Sequence, residues 1–187
     1  MRSKLIAFVF VAAAAAGPVG DPADRVRAKF TQIQNGKAAA GSTFIFTSSE
    51  LNSYARSELP VAIPQGVRQP RLELAEAAAT GYALIDFLRI QRSQGSNVPW
   101  LLARLIEGER SVKVVTRIVS GGGQATVYLE RVEIAGIAVS GGALDFIIHE
   151  FFLPLYPDAK INQPFVLGDN IDRIEVHATA AKVIMRR

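Results

Sequence analysis

The pattern of apolar and polar positions along the chain predicts helices and long hairpins in alternation. Asp21 and Pro22 supply a capping carboxylate and a proline at the first helical position, and Val26, Phe30 and Ile33 then recur one turn apart up to Gly36. This spacing predicts a first helix. After an Ala/Gly/Ser linker at residues 38–42, Phe44, Ile45 and Phe46 lead into Thr47-Ser48-Ser49-Glu50, whose Thr and Glu stand at capping-box spacing. A second helix is expected there, with Leu51, Tyr54, Ala55 and Leu59 on one face and Pro60 and Pro64 stopping it.

Extended segments follow. Residues 71–77 and 82–90 read as a hairpin joined through Ala78-Ala79-Thr80-Gly81, and the second segment is apolar on both sides: Tyr82, Leu84, Asp86, Leu88 and Ile90 on one, Ala83, Ile85 and Phe87 on the other. Residues 99–107, with Trp100, Leu101, Leu105 and Ile106, read as a short apolar helix closed by Gly108. The clearest alternation begins at Ser111 and places Val112, Val114, Thr116 and Ile118 on one side of a long strand. Gly121-Gly122-Gly123 allows a tight reversal, after which Ala125, Val127 and Leu129 alternate until Glu130 and Arg131. Val132 and Ile134 then continue in the opposite phase, so a bulge is expected near Glu130, bending the hairpin. Ser140 is placed to cap a third long helix carrying Leu144, Ile147, Ile148, Phe151 and Phe152, ended by Pro154 and Pro157. A last hairpin is expected from residues 171–176 and 182–185, around 177–181. Helices interleaved with hairpins and no sign of parallel strands predict an α+β fold with helices packed on one antiparallel sheet.

Composition narrows the class. With 187 residues, 49% of them apolar, the chain is sized for one ordinary globular domain, and zero cysteines exclude disulfides, thiolate nucleophiles and cysteine-ligated metals. Arg2 and Lys4 precede an apolar stretch at residues 5–16 that ends in small residues, the arrangement of a secretory signal peptide, and the stretch is shorter than the ~20 residues a membrane span needs. Cleavage near Ala16 would remove Arg2 and Lys4, half of the formal net charge of +4. The protein is thus expected to be periplasmic or secreted, and without a cysteine it has no site for a lipoprotein anchor. The expected organisation is a signal peptide at 1–16, an N-terminal helix and linker at 17–43, and a single α+β domain at 44–187.

Chemistry-bearing patterns are sparse. The two histidines, His149 and His177, fall on different predicted elements, and His149-Glu150 lacks the second histidine of a zinc-protease motif because Leu153 stands there. The glycine cluster at 121–123 has no dinucleotide-binding context, no GxSxG elbow is present, and basic residues are too scattered for nucleic-acid binding. Asp86, inside an apolar strand, is expected to pair with an arginine such as Arg89 or Arg110. No catalytic residue, metal or cofactor is therefore expected. The apolar excess is what remains, and it suggests a groove able to accept an acyl chain.

The run Phe46-Thr47-Ser48-Ser49-Glu50-Leu51-Asn52-Ser53-Tyr54 is similar to the helix start of exported bacterial proteins of the YceB type. Gly81-Tyr82-Ala83-Leu84-Ile85-Asp86-Phe87 and the hairpin followed by Gly136-Ile137-Ala138-Val139-Ser140 resemble the same group and the periplasmic LmeA-like (DUF2993) proteins. The resemblance spans residues 44–185. It implies the architecture of the tubular lipid-binding (TULIP-like) superfamily, a highly curved antiparallel sheet wrapped around apolar helices and enclosing lipid tails. YceB-type proteins are typically lipoproteins, and the missing cysteine departs from that pattern.

Together these readings predict an exported, non-enzymatic lipid carrier whose partner is a lipid or other apolar small molecule, with transient membrane-surface contact. The candidate lining is Leu51, Tyr54, Leu84, Phe87, Trp100, Leu105, Val114, Ile118, Val127, Leu129, Ile147 and Phe151. The alternatives are an envelope scaffold of the same fold with a filled core, and a hydrolase using Asp86 or His149.

Overall fold

The structure is a computed structural model that describes residues 20–62, 66–87, 89 and 106–187. Helix α1 (Pro22–Gln34) opens as its sequence predicts, with the Asp21 carboxylate accepting a hydrogen bond from the Ala23 N–H at 2.9 Å. Strand β1 (Thr43–Thr47) runs directly into α2 (Ser48–Ala62) through a reciprocal capping box. The Glu50 N–H donates to Thr47 Oγ1 at 3.2 Å and the Thr47 N–H donates to Glu50 Oε2 at 3.0 Å. Pro60 does not stop α2, which continues to Ala62; in the last turn its missing N–H forfeits one backbone bond with few residues left to disturb. The buried face is also shifted: Leu51 and Tyr54 are buried with Glu50 and Glu58, while Ala55 and Leu59 are only half-buried.

The strands form two antiparallel sheets instead of the expected one. In the larger, six-stranded sheet, β2 (Val67–Ala75), β3 (Ala78–Asp86), β4 (Glu109–Gly121), β5 (Gln124–Ile134) and β6 (Ile137–Val139) follow in chain order, and β7 (Pro164–Val166) pairs with the other end of β5. The smaller sheet joins β1, β9 (Ala180–Met185) and β8 (Ile171–His177) in that spatial order. The sheets are sewn together where Ser120 Oγ donates to the Ile174 carbonyl at 2.6 Å and accepts from the Ile174 N–H at 2.8 Å.

Register settles the local expectations. The β4–β5 hairpin turns at Gly122 and Gly123, with φ of 58° and 79°, the left-handed pair that a two-residue turn requires. Val115 pairs with Arg131 and Thr116 with Leu129, which leaves Glu130 as the extra residue of the predicted bulge. The β2–β3 turn, by contrast, is Glu76-Ala77, and Ala78, Ala79, Thr80 and Gly81 are strand residues paired on both sides. Tertiary bonds decide this. The Ala77 N–H donates to Val176 and its carbonyl accepts from the Ile118 N–H, holding Ala77 at a φ of 53°. The last hairpin is likewise tighter than expected, turning at Ala178 and Thr179.

The third predicted helix is α3 (Gly141–Ile147) followed by a π-helical turn at Ile148–Phe152, and the Ser140 side chain makes no capping bond. The predicted helix at 99–107 lies outside the described residues except for Ile106, which is fully buried, and exposed Glu107. Among the described residues no helix is long and apolar enough to cross a membrane.

Strand β2 is an edge, and α2 closes it. Asn52 Nδ2 donates to the Leu72 carbonyl and Asn52 Oδ1 accepts from the Leu72 N–H, both at 2.8 Å, so one amide side chain stands in for a neighbouring strand. Replacing Asn52 by alanine strips both partners from Leu72 and is expected to lower stability by about 1–3 kcal/mol, read from the midpoint of urea unfolding.

Candidate functional site

Strand register assigns every apolar side chain of the large sheet to a face. Leu72 of β2, Gly81 of β3, Val114 of β4 and Val132 of β5 stand in one row; Leu74, Ala79, Thr116 and Leu129 form the next. All eight share what is here the inner face. Two apolar clusters cover it. The first joins α1, α2, the small sheet and Ala125, Val127, Phe165 and Leu167, with Leu72, Leu74 and Ile118 packed against it. The second gathers Phe87, Ile106, Val112, Val132, Ile134, Val139, Ile147 and Phe151, with Val114, Leu129, Leu144 and Phe146 against it.

Most of the predicted lining lies within these clusters. Leu51, Tyr54 and Val127 are buried in the first, where the Tyr54 ring meets Phe30 at 5.6 Å. Phe87, Ile147 and Phe151 are buried in the second, where the Phe87 and Phe151 rings meet edge-on at 5.2 Å. Burial, with a smaller contribution from Glu58, pushes the Tyr54 phenol well above its ordinary pKa. These six side chains make filled core. Ile118, Val114 and Leu129 are half-buried at its margins. Leu84 faces the opposite side of the sheet, because it is in register with Ser111, one residue out of phase with Val112. Trp100 and Leu105 lie outside the described residues.

The seam between the clusters is the candidate site. Gly81 sits in it, between Leu72 of the first cluster's margin and Val114 of the second's, and a Cβ built on Gly81 would meet no atom within 4 Å. Every residue of β3 is half-buried, so the backbone there is neither core nor fully solvated surface. Among the described residues, the seam has an apolar floor and no side chain within 4 Å of where a Gly81 side chain would begin.

A second feature occupies the other face. A depression of about 550 Å³ is lined by Arg56, Gln69, Pro70, Arg71, Tyr82, Ala83, Leu84, Ser111, Val112, Lys113, Glu133 and Gly136. The Arg71 guanidinium lies 4.2 Å above the Tyr82 ring and pairs with Glu73, which also accepts from the Tyr82 hydroxyl at 2.7 Å. That hydroxyl, and then Arg71, hold the Glu73 carboxyl below its usual range. A more polar depression of about 770 Å³ lies on the outer side of the small sheet, around Thr43, Ile45, Arg173, Lys182 and Ile184.

The titratable residues singled out in the sequence are engaged elsewhere. Asp86 pairs with Arg89 at 3.1 Å and accepts its backbone N–H at the same distance, the structural pairing the sequence suggests. His149 Nδ1 lies 2.8 Å from the Asp145 carbonyl. Neither residue lines either depression. His177 bridges the sheets, with Nδ1 3.1 Å from Glu76 and Nε2 3.7 Å from Glu175. Among the described residues no group of three metal-ligating side chains converges.

Sequence reading missed Gly81, which it placed in a turn, and the cations around Leu84. The signal for the former was available: Gly81 keeps strand phase with Ala79 and Ala83, three small residues in succession on one face. No family model matches the chain, and neither a curated protein nor a solved structure matches it.

Proposed function

We propose that the protein is an exported, non-enzymatic binder of acyl chains or other apolar small molecules, which it holds along the seam on the inner face of the large sheet. The observation that carries this reading is the open space above Gly81 between two apolar clusters. Each methylene withdrawn from water there contributes about 0.8 kcal/mol, so a chain can be retained by shape without specific hydrogen bonds. The bulge at Glu130 and the irregular pairing between Arg68 and Arg71 bend their strands, which supports the curved, TULIP-like wrapping that the resemblance implies. The protein acts in the periplasm or outside the cell, touching membrane surfaces to exchange cargo.

Gly81→Phe tests this. The position has ordinary strand dihedrals and room for a side chain, and phenylalanine favours strands, so the variant is expected to keep its melting temperature within a few degrees. Uptake of a fluorescent fatty acid should fall at least about tenfold, the equivalent of roughly two methylenes denied their site. Wild-type protein that purifies with a clean apo mass in native mass spectrometry and takes up no offered lipid would overturn the proposal and leave the scaffold reading, which the filled packing of the two clusters favours.

A further inference from the structure

The depression on the outer face differs from the seam in its chemistry. Among the described residues, Arg56, Arg71 and Lys113 line it together with a single carboxylate, Glu133. Glu133 is drawn aside by Arg131, at 2.5 Å, and reaches Lys113 only at 4.0 Å. Arg56 has one polar partner among the described residues, Ser53 Oγ at 3.4 Å. Arg71 is held in place by its stacking on Tyr82 and its pairing with Glu73, so its position is set before any ligand arrives. Beneath these cations lies Leu84, half-buried yet packed into neither apolar cluster, with the small Ser111 beside it in register. A half-buried leucine and an aromatic ring under three cations match a ligand with an apolar body and an anionic head.

We propose that this depression binds an anionic amphiphile, with its phosphate or carboxylate head held by Arg56, Arg71 and Lys113 and its apolar part on Leu84 and the Tyr82 ring. The site lies on the opposite face from the seam and stands independently of it. Lys113 is free to turn its ammonium from the distant Glu133 to a ligand oxygen, and Arg56 swings in from α2 at the sheet edge. A head group therefore gains two cations whose existing polar contacts are long.

The test is calorimetric titration of the full exported chain with monomeric dodecyl phosphate, kept below its micelle concentration, and in parallel with inorganic phosphate and with phosphatidylcholine vesicles containing phosphatidylglycerol. Dodecyl phosphate is expected to bind, with affinity reduced at least about tenfold in Arg56→Glu and in Lys113→Gln, both exposed or half-buried changes that leave the clusters untouched. In Gly81→Phe, where the seam is closed to the dodecyl chain, the share of binding that Arg56→Glu and Lys113→Gln remove should persist. Loss of binding in Gly81→Phe with none in the charge variants would overturn the proposal and place the ligand in the seam. Inorganic phosphate binding as tightly as its dodecyl ester would overturn the amphiphile assignment. Binding to the anionic vesicles alone would also overturn it, since a surface and not a depression would then be the recognised partner.

Discussion

Phe46→Ala is expected to remove about 3–5 kcal/mol of stability, the largest loss from any single truncation proposed for this protein. Phe46, next to the last residue of β1, is 0% exposed, and its ring stacks on Phe30 of α1 at 4.9 Å, with Lys29 Nζ 5.2 Å from its centroid. Deleting the ring leaves a cavity bounded by two helices and a three-stranded sheet, elements whose backbones are fixed by their own hydrogen bonds and so collapse only partly into the gap. Since domains of this size are stable by only about 5–15 kcal/mol, the variant should unfold at much lower denaturant with an unchanged slope. A loss below about 1 kcal/mol in urea titration would mean that α1 and β1 do not share a core. Substituting exposed Ile45, the neighbouring residue on the other side of the strand, should cost far less.

Glu50→Gln is expected to cost about 2–3 kcal/mol at neutral pH and almost nothing near pH 2. Burial on its own would raise the Glu50 carboxyl, but the Thr47 N–H, Lys29 and Arg25 outweigh it and bring the pKa down from the usual 4.5 to about 2. The contacts are Lys29 Nζ at 2.9 Å and Arg25 Nε at 3.0 Å, around a side chain only 7% exposed. A depressed folded pKa means that the charged form is the stabilising one. Its contribution is present in full above about pH 5 and is lost as pH falls from there towards 2. Arg25 is half exposed, so solvent screening trims its share. Wild-type stability should therefore drop across that acid window more steeply than that of the glutamine variant, which keeps only the acid dependence of the other carboxylates, as measured by urea midpoints from pH 2 to pH 7. Equal slopes in the two proteins would show that Glu50 is not the carboxylate responsible.

Both predictions concern the junction where β1 enters α2, and that junction was legible in the sequence. Thr47 and Glu50 announce the capping box because each partner lies three residues from the other, and a bond that local needs no tertiary knowledge. The Glu130 bulge was legible for a related reason: a strand's side-chain period is two, so a change of phase without a turn can only be an inserted residue. The cations that stabilise Glu50 were not legible, since Arg25 and Lys29 reach it from another helix.

The candidate site divides the same way. Apolar character marked Val114, Ile118 and Leu129 as candidate lining, and register puts them on the inner face, but the same character marked Leu51, Tyr54 and Phe151, which became closed core, and Leu84, which faces away. Hydrophobicity reports that a side chain leaves water and is silent on whether protein or ligand covers it. Gly81 carries no hydrophobic signal at all, and its place in the seam depends on pairing with Leu72 on one side and Val114 on the other.

By itself, then, the amino-acid sequence determined the helix starts, the long bulged hairpin and the antiparallel α+β class, because each rests on spacings of a few residues. Only the tertiary structure decided that the strands split into two sheets, that the β2–β3 turn falls at Glu76-Ala77, and which apolar residues flank open space. Those outcomes are set by bonds such as Ala77 to Val176 and Ser120 to Ile174, between residues distant along the chain, whose meeting no local pattern encodes.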